Sequence, residues 1–231
     1  MRIVAGKFRG RPLAAPAHEG TRPPSDRVRE SVFNILQHGI PEFSIEGAKV
    51  LDLFAGTGAL GIEALSRGAA YCLFVEEDAD ARAVIRRNVE ALGLTGVTKI
   101  FRRDATDLGP AGNRGEAGLL FLDPPYGQGL AERALASAAG GGWLAPGAIA
   151  VIEERKGTPV VLPPAFAPLD RRTWGDTEVT FARFVWGGDA RLRFASPCIG
   201  CNAFDAKEGG GRCVRDLGWP SPTMLPTRRP A

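Results

Sequence analysis

The sequence predicts an α/β fold: a mostly parallel seven-stranded sheet with helices on both faces, closed by a C-terminal antiparallel hairpin and preceded by a small N-terminal hairpin and helix. Three observations carry this expectation. Strand-length apolar runs alternate with segments of helical periodicity, the runs are continuously apolar, and the helical signal stops after residue 155. Continuous apolarity marks strands covered on both sides, as in a parallel sheet between helical layers.

Five runs are read as parallel strands: KVLDLF (49–54), YCLFVE (71–76), TKIFRR (98–103), AGLLFLD (117–123) and AIAVIEE (148–154). Between them, 58–67, 78–94 and 129–139 are rich in Ala, Leu, Glu and Arg. Their apolar residues recur at three- and four-residue steps, as in Val84, Ile85, Val89 and Leu92. DRRTWGD and TEVTFARFVW then read as an antiparallel pair, with Val179, Phe181 and either Phe184 or Val185 pointing inward. That ending differs from the repeated halves of the dinucleotide-binding fold. At the other end, MRIVAGKFRGRPLAAP suits a short hairpin turning at Gly6 or Gly10, and Ser25 is placed as the N-cap of a helix through Gln37. Residues 187–231 hold seven glycines and five prolines without apolar periodicity, the composition of a disordered or loosely packed tail. The expected divisions are therefore 1–40, 41–186 and 187–231.

With 44% hydrophobic and 24% charged residues the composition is that of an ordinary globular protein. No run approaches the roughly 20 apolar residues of a membrane span, and the first residues lack the apolar stretch of a signal peptide, so no membrane partner and a cytoplasmic location are expected. Four cysteines, three of them grouped at Cys198, Cys201 and Cys213, form neither a disulfide framework nor a zinc site, for which a fourth ligand at suitable spacing is missing. No metal is expected. Charge is unevenly divided: residues 1–30 carry seven Lys/Arg against three Asp/Glu, 31–186 fifteen against nineteen, and 187–231 seven against four. A basic arm of this kind can grip a phosphate backbone, because each neutralised phosphate releases a counterion.

DLFAGTGALG (52–61) places Gly56, Gly58 and Gly61 in G-x-G-x-x-G spacing after a strand. Such a turn aims backbone N–H groups and a helix N-terminus at the carboxyl edge of the sheet, where ligands of open α/β folds bind. Asp52 sits four residues before Gly56, where it would repel a pyrophosphate and attract an ammonium group. Glu76 ends the second strand, where an acid commonly takes ribose hydroxyls. Asp104, followed by Ala105, stands at the end of the third strand, in reach of an adenine amine. NAD and S-adenosylmethionine share the ribose, but ammonium, ribose and adenine together are the handles of S-adenosylmethionine.

FLDPPYG (121–127) carries the chemistry. Asp123 ends the fourth strand, and Pro124 and Pro125 donate no N–H and hold the backbone extended, which frees carbonyl oxygens to accept. Tyr126 adds an aromatic face. An acid, a free carbonyl and a ring suit a planar base with an exocyclic amine. Adenine-N6 or cytosine-N4 methylation of DNA would use the same residues, although the chain has little room for a separate target-recognition domain. An NAD-linked oxidoreductase is disfavoured by Asp52 and by the lack of an evident hydride-site His or Lys. A non-catalytic RNA-binding protein would not need the intact acceptor set.

DLFAGTGALGIEALSRGA, FVEEDADA, RRDA and FLDPPYGQGL, preceded by MRIVAGKFRGRPLAAP and TRPPSDRVRESVFNIL, resemble the RsmD-type 16S ribosomal RNA guanine-N2 methyltransferases over residues 1–186. The resemblance implies a Rossmann-like class I methyltransferase sheet and S-adenosylmethionine as donor. It also implies the N2 amine of a guanine in 16S rRNA as the target, expected to be guanine 966, with 16S rRNA or the assembling 30S subunit as partner; a monomer is expected. By motif matching, Asp52, Phe54, Gly56 and Gly58 would line the methionine part, Glu76 the ribose, and Asp104 with Ala105 the adenine. Asp123, Pro124, Pro125 and Tyr126 would hold the target base. Arg2, Lys7, Arg9 and Arg11 would track RNA phosphates, and Arg22, Ser25, Asp26 and Arg27 would border the cofactor or the RNA backbone.

Overall fold

The computed structural model describes residues 1–15 and 26–185. Arg22, Ser25, the three grouped cysteines and the tail expectation lie outside the described residues.

The strands are β1 (Lys49–Leu53), β2 (Tyr71–Val75), β3 (Thr98–Phe101), β4 (Ala117–Leu122), β5 (Leu144–Arg155), β6 (Phe166–Trp174) and β7 (Thr177–Phe184). They form one sheet of seven in the order β3-β2-β1-β4-β5-β7-β6. β1 to β5 pair in parallel, while β7 pairs antiparallel with both β5 and β6. The chain leaves β1 towards β2 and β3, then returns to lay β4 on the other side of β1. Reversal of this kind opens a crevice at the carboxyl ends of the two central strands.

Helices α1 (Asp26–His38), α2 (Ala59–Ser66), α3 (Ala79–Ala91) and α4 (Leu130–Gly140) cover the sheet. Phe33, Leu36, Ile62, Ile85 and Val89 from the first three pack with Val50, Phe74, Phe121 and Ile149. Ala134, Leu135 and Ala138 of α4 pack with Leu51, Leu53, Leu120 and Ile152 on the opposite face. Neighbours such as Val50 and Leu51 therefore enter different cores, which is why the strands are apolar throughout.

Two strands start earlier than their apolar pattern indicates. β5 begins at Leu144, ahead of the apolar run, because its register against β4 shifts between Ala117 and Leu119 and absorbs Pro146 and Gly147. β6 begins at Phe166, whose ring lies 5.5 Å from that of Phe184. It is an edge strand with a shift between Pro168 and Asp170, the setting in which a strand tolerates proline. In β7, Val179 and Phe181 face one core, and Phe184, only 7% exposed, faces the other.

The N-terminal arm is a hairpin built into this body. Ile3 donates to Arg11 O (3.0 Å), Gly10 to Ile3 O (2.8 Å) and Leu13 to Met1 O (3.1 Å). Its loop sits on the C-terminal end of α2. Val4 and Ala5 donate their N–H groups to the two oxygens of Glu63 (2.8 and 2.9 Å), and Phe8 donates to Ser66 Oγ (3.0 Å). At Gly6 (φ 79°) a Cβ would lie 1.9 Å from the Ser66 carbonyl oxygen, so no other residue fits. Glu63 is fully buried and also meets Arg67 Nε at 2.8 Å and Arg29 Nε at 3.7 Å. Arg29, equally buried, donates to Asp26 (2.7 Å) and to the Arg2 carbonyl. This buried cluster joins the arm, α1 and α2.

Glu63→Ala removes the acceptor of two amides and the buried carboxylate that the Arg29 and Arg67 guanidinium groups share. A loss of about 3–5 kcal/mol is expected, read as a lower urea midpoint, with a smaller loss for Glu63→Gln.

Candidate active site

Each parallel strand delivers a carboxylate to the carboxyl edge of the sheet: Asp52 within β1, Glu76 after β2, Asp104 after β3, Asp123 after β4, and Glu153 with Glu154 near the end of β5. What separates their roles is what each already binds.

The turn after β1 is sharply bent. Phe54 has φ 56°, a left-handed backbone that costs a non-glycine residue on the order of 1–3 kcal/mol and is concentrated at functional sites. Gly56 then donates its N–H to Glu76 Oε2 (2.8 Å), and Asp78 N–H donates to Oε1 (2.9 Å). Glu76 thus ties the turn to the start of α3. Gly58 is the left-handed residue from which α2 starts. Gly61 does something else: a Cβ there would lie 2.5 Å from both Cys72 Sγ and Phe74 Cε1, so its role is to let α2 touch the sheet.

Asp52 lies beneath the turn, 2% exposed, and accepts from Gly61 N–H at 3.0 Å. Burial pushes its carboxyl up to about 8, with the Gly61 N–H lowering it in part and Glu76 adding to the rise. Asp104 uses one oxygen, Oδ1, to accept from Thr106 N (2.7 Å) and Thr106 Oγ1 (2.8 Å), capping its own turn above the buried Ala105.

Asp123 follows β4, which pairs with β1 through Asp52↔Phe121 and Leu53↔Leu122, so it emerges beside Phe54. Among the described residues, neither its carboxylate nor the Pro124 carbonyl takes part in a hydrogen bond. Desolvation in the crevice, followed by the nearby Glu153, Asp52 and Glu154, raises the Asp123 carboxyl well above the usual carboxylate range. Pro125 is exposed, and Tyr126 is 36% exposed. The Tyr126 hydroxyl donates to Glu153 Oε1 at 2.9 Å, and Gly127 N–H donates to both Glu154 oxygens at 3.1 and 3.2 Å. Burial, then the Glu153 charge, pushes the phenol up, and burial likewise raises Glu153.

Sequence reasoning missed three of these anchoring groups. Glu153 and Glu154 end a buried apolar strand, a pattern that could have marked them, but only the β4–β5 pairing shows that they grip the D-P-P-Y-G segment. Asn88, buried in α3, accepts from Ala14 N–H (2.8 Å) and donates to the Ala14 and Thr57 carbonyls (3.2 and 3.0 Å), joining the arm to the glycine-rich turn.

The arm cations Arg2, Lys7, Arg9 and Arg11 and the α1 residue Arg27 are all exposed. Arg2 pairs with Asp26 (3.4 Å), and Arg11 donates to Ala91 O (3.1 Å). Among the described residues no group of three or more His, Cys, Asp or Glu could hold a metal ion, and no helix is long and apolar enough to cross a membrane.

Known proteins are similar to this chain. A family model described as conserved hypothetical protein 95 matches residues 1–183. Ribosomal RNA small subunit methyltransferase D of Haemophilus influenzae is 35% identical over 177 residues, 76% of this chain and 89% of that protein. Its Escherichia coli K12 counterpart is 36% identical over 163 residues, 70% and 79% respectively. The chain belongs to the RsmD family. The solved structure of yhhF from Escherichia coli superimposes with a TM-score of 0.67 at 31% identity, covering 80% of this chain and 98% of that one. The fold is that of the class I methyltransferases, and the RsmD match takes in the arm and the closing hairpin as well as the sheet.

The crevice fits a ligand rich in donors and positive charge. Acceptors dominate it, the acid at Glu76 stands beside the turn, and nothing but the Phe54 carbonyl lies within 4 Å of a Cβ built on Gly56, so the backbone there is open to a neighbour.

Asp52 also makes stability depend on pH. The folded protein holds its proton up to about pH 8, whereas an ordinary carboxyl loses it near 3.8. Its contribution is therefore complete below about 3.8 and is lost as pH rises through 8, by at most about 1.4 kcal/mol per pH unit. Asp52→Asn is expected to flatten the unfolding free energy between pH 5 and 8, measured by urea denaturation at both values.

Proposed function

We propose that the protein transfers a methyl group from S-adenosylmethionine to the exocyclic N2 amine of a guanine in small-subunit ribosomal RNA, and that the guanine is the one at position 966. The observation that carries this reading is Asp123: an acid with unoccupied acceptors, next to a proline carbonyl, emerging beside the glycine-rich turn. The names of the Haemophilus and Escherichia relatives, ribosomal RNA small subunit methyltransferase D, support the substrate class.

The lone pair of such an amine is delocalised into the ring, so the nitrogen is a weak nucleophile. Asp123 and the Pro124 carbonyl can accept its two N–H bonds, leaving the lone pair directed out of the base plane. Tyr126, anchored through Glu153, supplies a face for the base. S-adenosylmethionine brings an activated methyl on a sulfonium, held in this reading by Glu76 at the ribose, Asp104 and Ala105 at the adenine, and the Phe54–Gly58 turn above Asp52 at the amino acid end. Alignment of this quality can contribute about 7–11 kcal/mol, and each acceptor facing the charge that develops on nitrogen about 3 kcal/mol. The nitrogen must shed a proton after it is methylated, and an ionised Asp123 is placed to take it.

In this reading residues 1–40 hold RNA through Arg2, Lys7, Arg9, Arg11, Arg22 and Arg27, and residues 41–186 carry the chemistry. The protein works as a monomer in the cytoplasm, on 16S rRNA or an assembling 30S subunit, without a metal.

Incubating the protein with labelled S-adenosylmethionine and small-subunit RNA, free or partly assembled, followed by nucleoside analysis, tests the reading. N2-methylguanosine is expected; N6-methyladenosine formed in DNA instead would overturn it. Asp123→Ala should lower kcat by at least about a hundredfold, the cost of losing one well-placed partner, with little change in donor affinity. A cationic donor beside Asp52 favours its ionised form, so donor affinity is expected to rise with pH between 6 and 8 and to do so less in Asp52→Asn, measured by titration calorimetry.

A further inference from the structure

The crossover from β3 to β4 is unlike the others. Those from β1 to β2, β2 to β3 and β4 to β5 each contain an α-helix, whereas residues 102–116 contain only a 3₁₀ turn at Gly112–Arg114. Parallel strands are usually joined through a helix, and Gly109, Pro110, Gly112 and Gly115 account for its absence here. Ala105, Leu108 and Ala111 of this loop cover the carboxyl half of the sheet face that also carries α4. The amino half of β1 to β3 is left open, as a cavity of about 610 Å³.

The floor of this cavity follows from the strand register. Lys49 pairs with Tyr71, and one step further along Leu51 pairs with Leu73 and Leu73 with Lys99. These five residues share one face, so two leucines and a phenol lie between two lysines. Arg114 closes the rim. Its guanidinium stands 5.0 Å from the Phe101 ring and 5.5 Å from the Trp143 ring, and donates to Ala111 O at 2.9 Å. Among the described residues no Asp or Glu lines the cavity. Among the described residues, Lys49, Lys99 and Arg114 form no ion pair and the Tyr71 hydroxyl makes no hydrogen bond.

We infer that this cavity is a second binding site, for a nucleotide, with the base against Leu51, Leu73 and Tyr71 and the phosphate among Lys49, Lys99 and Arg114. Uncompensated cations around an apolar floor match an anion with a flat apolar part, and the volume falls within the range of small-ligand pockets, about 300–1,000 Å³. Base-on-aromatic stacking combined with backbone cations is the usual way of holding single-stranded nucleic acid. The cavity opens towards the amino end of β1, where Lys49 stands about 13 Å from Leu53 at about 3.3 Å per residue, and none of its lining residues is among those assigned to methyl transfer. The nucleotide can be free or part of an RNA strand; the second source rests on the proposed RNA substrate.

The test compares the full chain with Lys49→Glu/Lys99→Glu, using guanosine 5′-monophosphate and a small-subunit rRNA fragment as probes. If the source is free nucleotide, calorimetry shows monophosphate binding that falls at least about tenfold in the variant. If it is the RNA strand, RNA affinity falls and the log–log salt slope becomes shallower by about 1, for the one phosphate that is no longer neutralised. S-adenosylmethionine affinity and thermal midpoint are unchanged in both cases. Lys49→Gln/Lys99→Gln moves both readouts in the same direction should the charge reversal impair folding. The proposal is overturned if neither probe is affected, if Arg171→Glu/Arg172→Glu on the edge strand weakens RNA binding equally, or if an acidic peptide displaces the monophosphate at equal concentration. Methyl transfer by the unaltered protein is recorded alongside. Its absence would sink the catalytic reading while leaving the monophosphate result intact.

Discussion

The site depends on β1 and β4 lying side by side where the strand order reverses. That adjacency sets the glycine-rich turn next to the D-P-P-Y segment, although seventy residues of chain separate them. Among the described residues no side-chain hydrogen bond or ion pair bridges the two; the backbone ladder does it. The chemistry on either side can therefore be precise in position while Asp123 itself stays unbound, and an acceptor already satisfied by the protein could not serve a ligand.

The second consequence of that geometry is electrostatic. Parallel strands all point their carboxyl ends the same way, and here those ends carry Asp52, Glu76, Asp104, Asp123, Glu153 and Glu154. Beside burial, the neighbouring carboxylates raise the proton affinity of Asp52 and Asp123. The fold offsets this with backbone N–H groups, from Gly61 to Asp52, Gly56 and Asp78 to Glu76, Thr106 to Asp104 and Gly127 to Glu154. Glu153 takes the Tyr126 hydroxyl instead; among the described residues Asp123 is the member left without a donor of either kind, and it is the one that faces the target base in the proposed reaction.

Much of this was legible in the chain. Strand runs, helical periodicity and the closing hairpin were readable because both sheet faces are buried, which writes the strands as unbroken apolar words. The glycine spacing located the turn, yet it could not tell that Gly61 serves helix contact, since the reason lies in Cys72 and Phe74 on another strand. Glu153 and Glu154 stand 27 residues from the partners they hold, and only sheet pairing brings them together. Asp104 was readable as an acid at a strand end, but its bond to Thr106 is a matter of turn geometry that composition does not encode. The missing crossover helix, by contrast, was written plainly in the glycines and proline of 109–115.

The arm behaves as a wall of the molecule. Its backbone N–H groups satisfy a carboxylate at the heart of the α1–α2 packing, and its far end shares the Asn88 side chain with the turn beside Glu76. Cutting away the first fifteen residues would therefore not yield a catalytic body deprived of its grip on nucleic acid. Such a truncation would leave a buried anion with unmet demand and a loosened glycine-rich turn, so loss of activity in it would report on integrity before it reported on recognition.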